Sequence, residues 1–337
     1  MPHTAIIIAV GSHTHESALI YNRPRTMLPA LGKPLVVRIM NRLYRSGIRD
    51  YVVILGEKEG NVANHINQKW VSDANIEYIL KRDTVPLGRI LSQIANEHPH
   101  PMLVVSYNDF THAHLSDRLL KYHQISPDDL ILAGSQESLS ASQQHRYASL
   151  PAITGKPIQD PSSQLAADSI VLLAKTPTPN TPNLILGDTA MWGRRFVAFL
   201  AEAPEATCRR HNLFDIAADY FALDHVVRVA RTSWTLKVQT DQDLLTLNRH
   251  LLTEETDAHI LSELPYTVHI RPPVRIDPGV NVGQGATIGP YVYLEKGSSV
   301  GRQAHVRNTI VLENCFIEAS ASVENTIVSS RKHHQFS

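Results

Sequence analysis

The chain has 337 residues, 43% of them apolar, with 32 Lys and Arg against 32 Asp and Glu and only two cysteines. That length exceeds what one core supports comfortably, so two units are expected, one clearly larger. The charge balance argues against nucleic acid or an anionic membrane as partner, and the distant Cys208 and Cys315 argue against a disulfide framework or a cysteine-built zinc site, which leaves small-molecule or protein partners in a reducing cytoplasm.

Residues 5–10, AIIIAV, are too short an apolar run to span a bilayer and have no basic segment ahead of them, so they read as a buried strand. The strand leads into GSHTHES, residues 11–17, where an α/β fold places a phosphate-binding turn, yet most of the glycines and basic side chains of such a turn are missing. Leu35, Val36, Ile39, Met40, Leu43 and Tyr44 follow helical spacing, with Pro34 suited to the first turn and Gly47 to the C-terminal cap. Near-continuous apolar runs follow at residues 51–55, 76–80, 102–107 and 130–133, as expected of parallel strands covered on both faces. Their alternation with amphipathic stretches predicts a doubly wound sheet whose ligands bind beyond the carboxyl ends of its strands, which singles out GSHTHES and SYNDF at 106–110.

Further along, SQESLSASQQH reads as an exposed loop and KTPTPNTPN as a Pro-rich turn region. Helical patterns occupy residues 192–203, 212–223 and 241–252, and TEETDAHILSEL reads as a linker. Beyond residue 268 the pattern changes. Ile270, Ile276, Val282, Ile288, Leu294, Val300, Val306 and Leu312 recur at an unbroken six-residue interval, with Gly, Pro, Asp and Asn between them. This hexapeptide repeat predicts a parallel β-helix with one aliphatic residue per face turned inward. RNTIV at Arg307 and ENTIV at Glu324 stand about one coil apart and carry the repeat to Val328, after which RKHHQFS is expected to fray.

The stretch RPRTMLPALGKPLV, residues 23–36, comes close to the pattern PKPMLPVxGKPLI. With VPLGRIL from Val85, SYNDFTHAHLSDRLLKYH from Ser106, AKTPTPNTPNLI from Ala174 and TDQDLLTLNRHLL from Thr240, it resembles the sugar-1-phosphate nucleotidyltransferases, particularly members with a C-terminal left-handed β-helix. The resemblance implies an α/β, Rossmann-like doubly wound nucleotidyltransferase domain over residues 1–252, a linker at 253–267 and a left-handed parallel β-helix at 268–330. It also implies attack of a sugar-1-phosphate oxygen on a nucleotide α-phosphorus with release of pyrophosphate. In the family a glycine-rich loop, an arginine and a lysine hold the triphosphate, and two aspartates hold Mg²⁺.

Carried over by position, the family loop AAGxGTR falls on residues 9–15. Gly11 and Thr14 match as substrate-binding positions; His13 replaces a glycine, and His15 replaces the catalytic arginine with an imidazole that is neutral near pH 7. Arg25 stands for the catalytic lysine of PKPM, and Asp109 matches the first metal aspartate. Where the second belongs, Lys237 stands, or Leu236 if the alignment slips by one, so the carboxylate is absent either way. Gly88 matches the nucleobase segment, but Asp83 replaces a glutamine there, and Arg89, Ile90 and Leu91 replace small residues. Lys175 matches the sugar-phosphate lysine of an EKP motif whose glutamate is Ala174 here.

Each of these side chains also has a structural alternative, Asp109 as a turn cap and Arg25, Lys175 or Lys237 as solvated charges. Three functions stay open: an active Mg²⁺-dependent transferase; a weak or non-catalytic paralogue that binds a nucleotide or sugar phosphate as a regulatory or structural subunit; and a β-helix acyltransferase. The substitutions favour weak or lost transfer. The short solenoid, whose His305 lies within a coil, disfavours acyl transfer. Self-association through the β-helix is expected, with an active paralogue as a further partner.

Overall fold

A computed structural model describes residues 4–10, 23–57, 59–70, 73–141, 145–150, 168–170, 172–254, 258–329 and 332–335. Contacts divide the chain into two compact units: Val36–Lys237 with the N-terminal strand, and Val238–Ser337 with the segment that ends at Leu35. The helix 241–253, grouped with the α/β domain in the sequence division at 252, thus falls in the second unit.

In the first unit each predicted apolar run is a strand. β1 is Thr4–Ala9, α1 Leu35–Arg45, β2 Asp50–Gly56, α2 Gly60–Lys69, β3 Asn75–Lys81, α3 Leu87–Glu97, β4 Met102–Ser106, β5 Asp109–Thr111, α4 Leu115–Ile125 and β6 Leu130–Ser135. Then come β7 Tyr147–Ser149, β8 Asp168–Ser169, β9 Leu172–Ala174, β10 Asn183–Trp192, α5 Arg194–Ala201, α6 Glu205–Cys208, α7 Leu213–Phe221, β11 Val227–Thr232 and β12 Thr235–Lys237. The main sheet runs β8-β11-β6-β10-β4-β1-β2-β3, with β7 beside β10 and β9 beside β7.

β1 pairs in parallel with β2 and β4, and β2 with β3. Strand β10 departs from the doubly wound expectation, because it is antiparallel to both β4 and β6, between which it lies. The apolar period that predicted a helix from residue 192 runs through the end of this strand, so Trp192 closes β10 and α5 starts at Arg194. Trp192, Phe196 and Tyr220 then meet edge-on, with centroids 5.3 and 4.9 Å apart, beneath the buried side chains of Met102, Val104 and Ile94.

The second unit begins with a hairpin of Pro29–Ala30 and Lys33–Pro34, closed by Leu31 and Gly32 at φ 48° and 77°. Two positive φ values are the mark of a type I′ turn, the tight connection whose twist matches its strands. Asn248, on α8 (Asp241–Thr253), accepts the Leu31 N–H at 3.1 Å, and a Cβ at Gly32 would collide with the Arg275 guanidinium. Arg23 forks onto Glu295 at 2.9 and 3.2 Å. The PALGKP motif is therefore pinned to α8 and to the strands that follow it.

Those strands align in parallel in three series. His269 aligns with Thr287, Thr287 with His305 and His305 with Ser322; Val274 aligns with Val292 and Val292 with Thr309; Asn281 aligns with Ser299 and Ser299 with Phe316. The six-residue aliphatic series is buried from Ile276 to Leu312, and Ile270 is half-buried. Two expectations change. Within the expected linker, Ile260 bridges Ile276 and the Leu261 N–H donates to the Ile276 carbonyl, so part of it is a strand edge. In the tail expected to fray, Lys332–Gln335 pairs antiparallel with Ser322–Ser329, because the last parallel strand offers an edge of unpaired backbone groups. Among the described residues no helix is long and apolar enough to cross a membrane.

Candidate functional site

The carboxyl end of β4 leads through Tyr107 and Asn108 into β5, which pairs antiparallel with β12. The register sets Lys237 opposite Asp109 and Leu236 opposite Phe110. Leu236 is fully buried, and by register it is Lys237 that shares a rung with Asp109. The Lys237 N–H donates to Ser140 Oγ at 2.7 Å, which holds its backbone from the other side.

A bulge in β10 completes the cluster. Leu186 pairs with Gly134 and Ala190 with Leu132, so Gly187, Asp188 and Thr189 face the single residue Ala133. Such an insertion bends a strand and re-aims its side chains. Here the Thr189 hydroxyl donates to Asp109 Oδ2 at 2.6 Å, and Asp188 forms an ion pair with the half-exposed Lys237 ammonium. Gly187 is required at this approach, because a Cβ would lie 2.7 Å from Asp109 Oδ2.

Asp109 is 2% exposed, and its Oδ1 has no hydrogen-bond partner among the described residues. Burial and then the charge of Asp188 push its carboxyl up to about 7, against the pull of the Thr189 hydroxyl, Lys237 and the Asp188 backbone. For Lys237, burial opposes the charge, but Asp188 and Asp109 outweigh it and raise the ammonium above its ordinary value, with Arg146 as a nearby opposing cation. The arrangement offers one ion-paired ammonium, Lys237, with the Arg146 charge in its vicinity, beside the carboxylate Asp188 and the buried carboxyl of Asp109, which holds its proton more tightly than usual.

Comparison with known proteins concerns the chain as a whole. The family description "Nucleotidyl transferase" matches residues 4–141, and "GMPPB C-terminal domain" matches 270–335. The bifunctional protein GlmU of Symbiobacterium thermophilum is 20% identical over 96% of this chain and 67% of its own length. A UTP--glucose-1-phosphate uridylyltransferase, AglF of Haloferax volcanii, is 21% identical over 47% of this chain and 67% of its own. These matches make the chain similar to the sugar-1-phosphate nucleotidyltransferases. In fold, the chain also resembles an apo-UDP-glucose pyrophosphorylase structure, at TM-score 0.58 and 14% identity over 76% of this chain and all of the other.

Of the residues the sequence singled out, the structure brings together Asp109 and Lys237. Gly11, Thr14 and His15 lie outside the described residues, as does the rest of GSHTHES. Arg25 is buried in the 3-10 turn Arg25–Met27 of the second unit. Gly88 opens α3, where its N–H donates to the Arg210 carbonyl and a Cβ would strike the Thr207 carbonyl oxygen, so its bare Cα serves the contact with α6. Arg89 is ion-paired to Glu205, and Ile90 and Leu91 are core residues. Lys175 is exposed just after β9. Sequence reasoning missed Asp188, Thr189 and Arg146; the available signal was a glycine inside the strand run NLILGDTAMW, which marks a bulge.

The donor set does not fit the Mg²⁺ that the family implies. Magnesium needs ionised oxygen ligands in near-octahedral array. Asp188 is committed to Lys237, Asp109 is only partly ionised near neutral pH, and the Lys237 ammonium would repel a dication from both.

Proposed function

We propose that this nucleotidyltransferase-family chain binds a nucleotide or sugar phosphate through fixed protein charge and catalyses nucleotidyl transfer weakly or not at all. One observation carries the reading: Lys237 shares a rung with Asp109 and is ion-paired to Asp188, where the family resemblance calls for a metal carboxylate. A divalent ion stabilises phosphoryl-transfer charge by coordination, whereas an ammonium supplies a single charge and three hydrogen-bond donors. Lys237 with Arg146 supports recognition of a phosphate, and the Gly11–Thr14 loop, His15, Arg25, Gly88 and Lys175 are the positions through which the rest of such a ligand would be held. The spacing of 17 or 18 residues between aligned strands in three series supports a hexapeptide-repeat left-handed β-helix at the C-terminus. The setting proposed is cytoplasmic.

A thermal-shift panel of nucleoside triphosphates, sugar-1-phosphates and nucleotide sugars selects the ligand, since only a binder of the folded state raises its stability. Calorimetry with that ligand, first with Mg²⁺ and then with EDTA, is expected to give affinities within tenfold of each other, and Lys237→Gln is expected to weaken binding by tenfold or more. A tenfold loss on chelation would place a metal at Asp109 and overturn the reading.

The stacked strands are also proposed to join two copies of the chain, for Phe316 stands exposed on the last strand of its face, where an edge invites cover. Light scattering is expected to give a dimer or larger, and a monomer counts against this.

A further inference from the structure

At the amino ends of the parallel strands, opposite the end of the sheet from which Asp109 follows, a second cluster of ligating side chains gathers. Glu77 projects from β3, the edge strand; Glu97 is the last residue of α3, and His98 is the next. We propose that His98, Glu77 and Glu97 form a zinc-class transition-metal site that ties the end of α3 to the sheet edge.

One donor atom from each residue lies within 4.8 Å of the other two, and His98 Nε2 stands 3.1 Å from Glu77 Oε2. One imidazole nitrogen with two carboxylate oxygens suits zinc, nickel or copper, whereas magnesium and calcium prefer an all-oxygen set. A neighbouring side chain orients the donors: Gln93 Nε2 donates to Glu97 Oε1 at 3.0 Å. The His98 ring meets His100 edge-on at 5.8 Å, and His100 Nε2 hydrogen-bonds Thr4 Oγ1 at 2.9 Å. Two fields attract a cation here. The C-terminal end of the 11-residue α3 carries the negative pole of its dipole, and Asp50 adds a carboxylate to the same wall.

An independent feature supports the assignment. A cavity of about 690 Å³ opens at this end of the sheet, lined by Thr4, Asp50, Glu77, His98, His100 and His123 among others. Two of the three ligands therefore face an open approach, as a metal site needs. With no metal, the His98–Glu77 contact is a surface ion pair of little worth. With zinc it becomes a bridge between β3 and the end of α3, so the ion should stabilise the fold by binding the native state alone.

Titrating Zn²⁺ into the metal-stripped full chain against a chromophoric chelator is expected to show one tight equivalent, with Co²⁺ giving visible d–d absorption at the same stoichiometry. His98→Ala and the near-isosteric Glu97→Gln are each expected to weaken that equivalent by tenfold or more and to abolish the zinc-dependent rise in Tm. The chain has 18 histidines, so His112→Ala/His114→Ala, on an exposed pair 5.4 Å apart, serves as the control and is expected to bind as the parent does. Absence of a tight equivalent, binding by Glu97→Gln and His98→Ala as tight as the parent's, or loss only in the control variant would overturn the proposal.

Discussion

Pyrophosphate release from nucleoside triphosphate and sugar-1-phosphate is expected to run at least about 10²-fold below the roughly 10 s⁻¹ typical of enzymes, whatever the sugar or base. Phosphoryl-type transfer asks the protein mainly for position and charge, and losing one charge-stabilising contact to the transition state commonly costs on the order of 10²- to 10³-fold. Here the loss at the second aspartate position is compounded, because the incoming Lys237 ammonium also occupies Asp188, the one other carboxylate of the cluster. A pyrophosphatase-coupled phosphate assay over the ligands chosen by thermal shift measures it. Turnover near 1 s⁻¹ or faster would restore the active-enzyme reading, and Mg²⁺ dependence of that turnover would locate the fault in the account of Lys237.

Replacing Asp109 by asparagine is expected to stabilise the protein at pH 8 and leave it unchanged at pH 4. The folded carboxyl is pushed up to about 7 from an ordinary 3.8 by burial and by Asp188. Between those values the folded chain holds a proton that the unfolded chain has released, so stability falls as pH rises, and the loss is complete above about 7. Asparagine keeps an acceptor for the Thr189 hydroxyl but has nothing to ionise. A gain of roughly 1 kcal/mol corresponds to about 2–4 °C in Tm for a domain of this size. Melting curves from pH 4 to pH 8 test it: an equal offset at every pH would mean that Asp109 is ionised throughout, and the cluster would then hold two true carboxylates.

The sequence by itself determined what is periodic or local. Apolar runs four to six residues long became strands β1, β2, β3, β4 and β6; the Thr240–Asp243 capping box started α8, and the six-residue spacing of Ile276 to Leu312 became a buried aliphatic column. In each case the signal and the structure have the same range, a few residues, because helix and strand periods are set by backbone geometry. Asp109 and Lys237 were legible for a related reason, since each sits in a motif that can be matched along the chain.

Only the tertiary structure decided which strands pair and in what register. Strand β10 entered between β4 and β6 against their direction, and its bulge brought Thr189 to Asp109 across 80 residues of sequence and Asp188 to Lys237. Nothing local encodes that choice: LILGDT is compatible with a turn, and it becomes a bulge because ladder hydrogen bonds to both neighbouring strands fix the residues on either side of it. The same holds at the other end of the sheet, where Glu77 meets His98 because β3 is the edge strand and α3 ends beside it. Register is a long-range property, settled by which faces become buried together, and a side chain's partner follows from register.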